Sequence, residues 1–86
     1  MNLYILYTKD TPADRDISYL QRRLDERRIS WKAIDADSRD GAAKTELYDI
    51  MRRPAVLVTD SSGGVMQKWE GELPRLEDII TYYPAG

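Results

Sequence analysis

The chain has 86 residues, a net charge of −2 and an apolar fraction of 42%, which together predict one small domain over residues 1–86 and exclude a disordered chain. The slightly negative charge argues against general nucleic-acid binding. No apolar run reaches the ~20 residues of a membrane span, and the first residues do not resemble a signal peptide. We therefore expect a cytoplasmic protein that binds neither nucleic acid nor membranes.

The chain contains no cysteine and no histidine. Thiolate nucleophiles, disulfide exchange, iron–sulfur clusters and Cys/His zinc sites are therefore unavailable to this chain. The side chain most often used for proton transfer near neutral pH is also missing. These absences favour a protein that is not an enzyme and that carries no cofactor.

The first half of the chain predicts a strand, a helix and a second strand. Residues 2–8 are aliphatic and aromatic on both alternating faces, as in a strand that is covered on both sides. Residues 16–29 predict a helix, and residues 31–37 predict a strand that ends in Asp37. The helix carries apolar residues at helical spacing, namely Ile17, Leu20, Leu24 and Ile29.

The second half predicts a helix, a hairpin and a final helix. Residues 40–51 predict a helix with one apolar side, formed by Ala43, Leu47, Ile50 and Met51. The β-rich run at 55–59 and the turn at 61–64 predict a hairpin with residues 65–69. Pro74 fits the first turn of the last helix, and Pro84 is expected to end it. The apolar residues of that helix are Leu76, Ile79, Ile80 and Tyr83.

The predicted order is β-α-β-α-β-β-α. A strand, a crossover helix and another strand imply a parallel pair, whereas the later tight turn implies an antiparallel pair. The sequence therefore predicts an α/β fold with a mixed four-stranded sheet and helices on both of its faces.

This order, together with two local segments, resembles the thioredoxin/glutaredoxin superfamily along nearly the whole chain. The spacing Tyr-x-Ile-x-x-x-Pro at residues 48–54 is similar to the approach to the cis-proline of that superfamily. Residues 65–80 resemble the thioredoxin ending of strand, glycine and final helix. Residues 4–9 and 34–37 are more similar to glutaredoxin. The resemblance implies a thioredoxin-like fold.

The residues Thr11-Pro12-Ala13-Asp14 fall where redox members of the superfamily carry Cys-x-x-Cys, so oxygen side chains replace both sulfurs. A local capping role accounts for them. We predict that Thr11 is the N-cap of the first helix, that Pro12 is its first residue, and that the carboxylate of Asp14 accepts the N–H of Thr11. Such a cap contributes about 1 kcal/mol.

The resemblance further implies a cis bond between Arg53 and Pro54, which would expose the backbone of Arg53 to an extended peptide. The simpler alternative is that Pro54 only shapes the loop. We predict a non-redox binding or scaffold module that docks a protein or peptide at the former redox face. The predicted contact residues are Lys9, Thr11, Pro12, Asp14, Arg52, Arg53, Pro54, Ala55 and Gly71.

An alternative function is a glutathione-dependent transferase or glutaredoxin-like enzyme in which glutathione supplies the thiol. The hydroxyl of Thr11 would bind that thiol, and Lys9 and Arg53 would hold a small anion. However, residues 70–73 lack the motif with which glutathione-binding relatives hold the amino-acid end of glutathione.

The remaining charged clusters have simpler structural interpretations. The first helix ends in arginines interleaved with Asp25 and Glu26, which is typical of a solvated helix end rather than a nucleic-acid surface. The carboxylates of Asp35, Asp37 and Asp40 lack the calcium-loop pattern and are expected to cap turns rather than hold a metal. The arginines are Arg22, Arg23, Arg27 and Arg28.

Overall fold

The computed structural model describes residues 1–83 and confirms the predicted order of strands and helices. None of the helices within this range is long and apolar enough to cross a membrane. The last helix ends at Ile80, and the predicted helix stop at Pro84 lies outside the described residues. The elements are β1 (Asn2–Tyr7), α1 (Asp14–Glu26), β2 (Lys32–Asp35), α2 (Arg39–Leu47), β3 (Ala55–Thr59), β4 (Val65–Glu70) and α3 (Leu76–Ile80).

The four strands form one mixed sheet in the order β2-β1-β3-β4. The β1–β2 pair is parallel, because α1 crosses over between the two strands. The β1–β3 and β3–β4 pairs are antiparallel. All five residues of β3 are buried, since β3 lies between β1 and β4 and its side chains enter cores on both faces of the sheet.

Alternate side chains of the strands supply two cores on opposite faces of the sheet. Val56 and Val58 of β3 belong to the larger core, where α1 and α3 pack together. Ala55 belongs to the smaller core on the other face. The predicted arrangement of helices on both faces is therefore confirmed. The smaller core consists of Leu6, Ile34, Ile50 and Ala55, with Tyr4 and Tyr48 packed against it.

The end of α1 explains why Ile29 is buried although the helix stops at Glu26. Arg28 adopts a left-handed conformation with φ of 58°, which reverses the chain. The N–H of Arg28 then bonds the C=O of Asp25 at 3.0 Å, and the N–H of Ile29 bonds the C=O of Leu24 at 3.0 Å. This pair of bonds is a Schellman motif, and it turns Ile29 back into the larger core.

The predicted helix over residues 40–51 is wrong in length and in its apolar side. The helix ends at Leu47, and Asp49 has a φ of 54°. The N–H of Ile50 bonds the C=O of Thr45 at 2.9 Å, so Ile50 reaches the core through a second Schellman motif rather than from a helix face. The other members of the expected apolar side are exposed, with Leu47 at 71% and Met51 at 78%.

Gly41 provides the contact by which α2 lies on the end of β2. A Cβ placed on Gly41 would be 2.0 Å from the carbonyl oxygen of Asp35 and 2.7 Å from the Cα of Ala36. Both neighbours are backbone atoms, so they cannot move aside as a flexible side chain would. The close approach of helix and strand therefore requires glycine at this position.

We expect Gly41→Ala to lower the free energy of unfolding by about 2 kcal/mol, because the added methyl group clashes with the backbone of β2. Helix propensity alone predicts a gain of about 1 kcal/mol from the same change. Urea unfolding measures the difference. Ala43→Gly, at an exposed position of the same helix, is the matched control and should lower the free energy of unfolding by about 1 kcal/mol. A Gly41→Ala protein as stable as the original would contradict this contact.

Candidate functional site

The chain before α1 forms a turn, and the predicted capping box at Thr11 is wrong. The N–H of Asp14 bonds the C=O of Thr11 at 3.1 Å, and the hydroxyl of Thr11 donates to the C=O of Thr8 at 3.1 Å. The N-cap is Ala13, which makes no side-chain cap bond. Pro12 therefore precedes the helix, and Asp14 is its first residue. The carboxylate of Asp14 still complements the positive end of the helix dipole.

This turn faces the loop before β3 across a small groove of about 300 Å³. The peptide bond between Arg53 and Pro54 is cis. Four of the predicted contact residues meet here, two from each side of the groove. We call this region the Pro54 corner; its residues are Thr8, Thr11, Pro12, Ala13, Arg53 and Pro54.

Arg53 places its backbone N–H and C=O groups at the Pro54 corner. The ladder of β3 begins at Ala55, which pairs with Leu6 and Glu70, and the C=O of Pro54 accepts the N–H of Gly71 at 3.0 Å. Within residues 1–83, neither the N–H nor the C=O of Arg53 has a hydrogen-bond partner. The guanidinium of Arg53 points elsewhere and lies 3.4 Å from the hydroxyl of Thr45.

Two side chains of β4 hold the loop that leads to this corner. The carboxylate of Glu70 accepts the N–H of Met51 and, at 3.2 Å, the N–H of Arg52. The ammonium of Lys68 donates to the C=O of Tyr48 at 3.1 Å and to that of Asp49 at 3.0 Å. The two side chains also pair with each other at 3.4 Å. We call this arrangement the Lys68–Glu70 clamp.

The clamp lowers the pKa of the Glu70 carboxyl group. The bond from the Met51 N–H is the main reason that the pKa of Glu70 lies below its usual range. The Arg52 N–H and the charge of Lys68 lower that pKa further. The sequence analysis missed both clamp residues. The available signal was a Lys-x-Glu pair, which places both side chains on one face of a strand.

The other predicted contact residues lie outside the Pro54 corner. Ala55 is fully buried in the smaller core, so its side chain is closed to a partner. Gly71 has a φ of 82°, and the side chain of Arg52 lies across it, 3.3 Å from where a Cβ would stand. Lys9 and Asp14 line a separate depression of about 390 Å³ that does not include Arg53 or Pro54. Lys9 also pairs with Asp35 at 3.5 Å.

The aspartates after β2 make local contacts at the start of α2. The carboxylate of Asp35 accepts the N–H of Asp37 at 2.9 Å, and the carboxylate of Asp40 pairs with Lys44 at 3.6 Å. Ser38 caps α2 by accepting the N–H of Gly41 at 3.0 Å. Over residues 1–83, no group of three acidic side chains is arranged to hold a metal ion.

A search of solved structures finds the same fold in thioredoxin 1 from the thermophilic eubacterium Thermosipho africanus TCF52B. The TM-score is 0.70 with 11% sequence identity, over 94% of this chain and 88% of that chain. No protein-family model matches the chain, and no curated protein matches it in sequence. At this identity the likeness concerns the fold alone. The chain therefore has a thioredoxin-like fold without any cysteine.

Glu70→Gln tests the Lys68–Glu70 clamp through its pH dependence. Because the pKa of Glu70 is lowered in the folded protein, its contribution to stability is present above about pH 4.3, the ordinary glutamate value, and is lost as the pH falls through the lower folded-state pKa. We expect the native protein to be more stable than Glu70→Gln near neutral pH, and this difference to close in acid. Urea unfolding across that range measures it.

Glu46→Gln is the matched control for this experiment, because it removes the same charge from an exposed position on α2. The clamp is contradicted if Glu70→Gln and the native protein differ by the same free energy of unfolding at every pH.

Proposed function

We propose that the protein is a non-redox binding module that docks an extended segment of another protein at the Pro54 corner. The observation that carries this proposal is the backbone of Arg53, which lies beside a groove and has no hydrogen-bond partner among residues 1–83. An extended peptide can pair with such an N–H and C=O as an added strand would. The Lys68–Glu70 clamp supports the proposal, because a loop that is already fixed costs less entropy to bind.

The side chains of Thr11 at the corner and of Asp14 beside it favour binding over catalysis. Where redox members of the superfamily place sulfur, this chain places the hydroxyl of Thr11 and the carboxylate of Asp14. The hydroxyl of Thr11 donates its proton to a backbone carbonyl, which is not a base that could activate it as a nucleophile. The proposed activity is therefore recognition, without a covalent step and without a cofactor.

Two variants of one residue separate backbone pairing from a side-chain contact. Arg53→Pro deletes the N–H that the proposal needs, whereas Arg53→Ala keeps that N–H and removes the charge. We expect peptides selected from a random displayed library to lose about tenfold or more of their affinity for Arg53→Pro, because one backbone hydrogen bond and its alignment are lost. Arg53→Ala should retain most of the affinity.

Amide NMR spectra of both variants check that they fold, and spectra of the native protein locate the bound peptide. Shifts of the amide signals of Thr11, Ala13 and Arg53 support the proposal. Selected peptides that bind Arg53→Pro as tightly as the native protein, or that shift amides away from the Pro54 corner, contradict it.

The glutathione-dependent alternative requires an anion site shared by Lys9 and Arg53. The two residues line different depressions, and Lys9 already pairs with Asp35 at 3.5 Å. We therefore expect millimolar glutathione to leave the amide signals of Thr11, Arg53 and Ala55 unmoved. Saturable shifts at those amides would favour the enzymatic alternative over a binding module.

A further inference from the structure

We propose that the partner segment is basic, and that it continues from the Pro54 corner into an acidic groove between α1 and residues 71–77. This inference rests on the proposed function, because both grooves would hold one segment. The second groove has a volume of about 600 Å³, within the range of ligand sites in proteins. It shares Ala13 and Pro54 with the corner, so the two grooves are adjacent and one extended segment can pass from one to the other.

One face of α1 forms the first wall of this groove. Asp16, Tyr19, Leu20 and Arg23 are spaced three, four and seven residues apart, which brings them to one side of the helix. Leu20 is buried and closes the bottom of the groove, whereas Tyr19 is 63% exposed. An exposed aromatic ring beside a carboxylate is suited to an arginine or lysine side chain, which stacks on the ring while it pairs with the acid.

Residues 71–77 form the opposite wall and contribute both apolar and polar groups. Leu73 packs against the larger core and Leu76 is buried within it, so apolar side chains line this wall as well. Among residues 1–83, the N–H groups of Glu72 and Leu73 donate to no protein acceptor. An extended segment in the groove would therefore find backbone donors along this wall, as it does at Arg53.

The charged residues that line the groove determine which charge a bound partner must carry. Its two cations already have acidic neighbours, since Arg23 lies 3.9 Å from Glu26 and Arg75 lies 3.6 Å from Asp78. Its carboxylates Asp16, Glu72 and Glu77 form no ion pair within the described part of the chain. The carboxylates among the lining residues thus outnumber the cations, and both of those cations have an acidic neighbour, so the lining favours basic over acidic peptides.

The experiment uses a short synthetic peptide in which a leucine is flanked by arginines, and a twin in which glutamates replace the arginines. Affinity and location are measured by amide NMR titration of the whole chain. We expect the arginine peptide to shift the amide signals of Tyr19, Glu72 and Leu73 together with that of Arg53. Its affinity should fall as salt is added. The glutamate twin should bind at least about tenfold more weakly, because attraction becomes repulsion at several charges.

A double variant, Glu72→Lys with Glu77→Lys, reverses the charge of the groove without touching its apolar residues. We expect this double variant to bind the arginine peptide with about tenfold lower affinity. Asp37→Lys with Glu46→Lys is the matched control, because it makes the same change of net charge at exposed positions near α2. This control should bind the arginine peptide as the native protein does.

The outcomes separate this inference from the function on which it rests. If the glutamate twin binds as tightly as the arginine peptide and Arg53→Pro weakens both, docking at the corner stands and the acidic groove is overturned. If Glu72→Lys with Glu77→Lys no longer binds the arginine peptide while Arg53→Pro binds it with full affinity, docking at the Pro54 corner is contradicted and binding in the acidic groove is supported. If neither peptide shifts any amide at millimolar concentration, the acidic groove is overturned, and docking at the corner is decided separately by the library-selected peptides and Arg53→Pro.

Discussion

The Lys68–Glu70 clamp is the interaction on which the geometry of the Pro54 corner depends. Two side chains of β4 bond four backbone groups of the loop between α2 and β3. These groups are the C=O of Tyr48 and of Asp49 and the N–H of Met51 and of Arg52. The chain therefore arrives at Arg53 with a fixed course. The N–H and C=O of Arg53, two residues before β3, have no hydrogen-bond partner among residues 1–83, and they lie opposite the turn that precedes α1.

The fold could be predicted from the sequence because its strands and α1 carry strong periodic patterns. The buried run at Ala55–Thr59 lies at the centre of the sheet, as an aliphatic strand without polar alternation predicts. The prediction failed at α2, where the apolar spacing of Leu47, Ile50 and Met51 suggested a continuous helix. The left-handed turn at Asp49 breaks that spacing, and an aspartate gives only a weak sign of such a turn.

The site was only partly predictable. Its place beside Pro54 followed from the resemblance in sequence, and the structure brings Thr11, Pro12 and Arg53 to it. The predicted cap failed because the turn at 11–14 uses the hydroxyl of Thr11 before the helix begins. The clamp was missed, because the sequence does not show which loop lies beside β4. The corner has no cysteine and therefore no thiol chemistry; the groove beside it is the basis of the proposed recognition.

Amide hydrogen exchange at Arg53 in the free protein tests the central claim most directly. If the clamp holds the loop and the N–H of Arg53 is unpaired, the amides of Met51 and Arg52 should exchange slowly and that of Arg53 near the rate of an unstructured peptide. A peptide bound at the corner should then slow the exchange of Arg53. An Arg53 amide as protected in the free protein as its two neighbours would contradict the account.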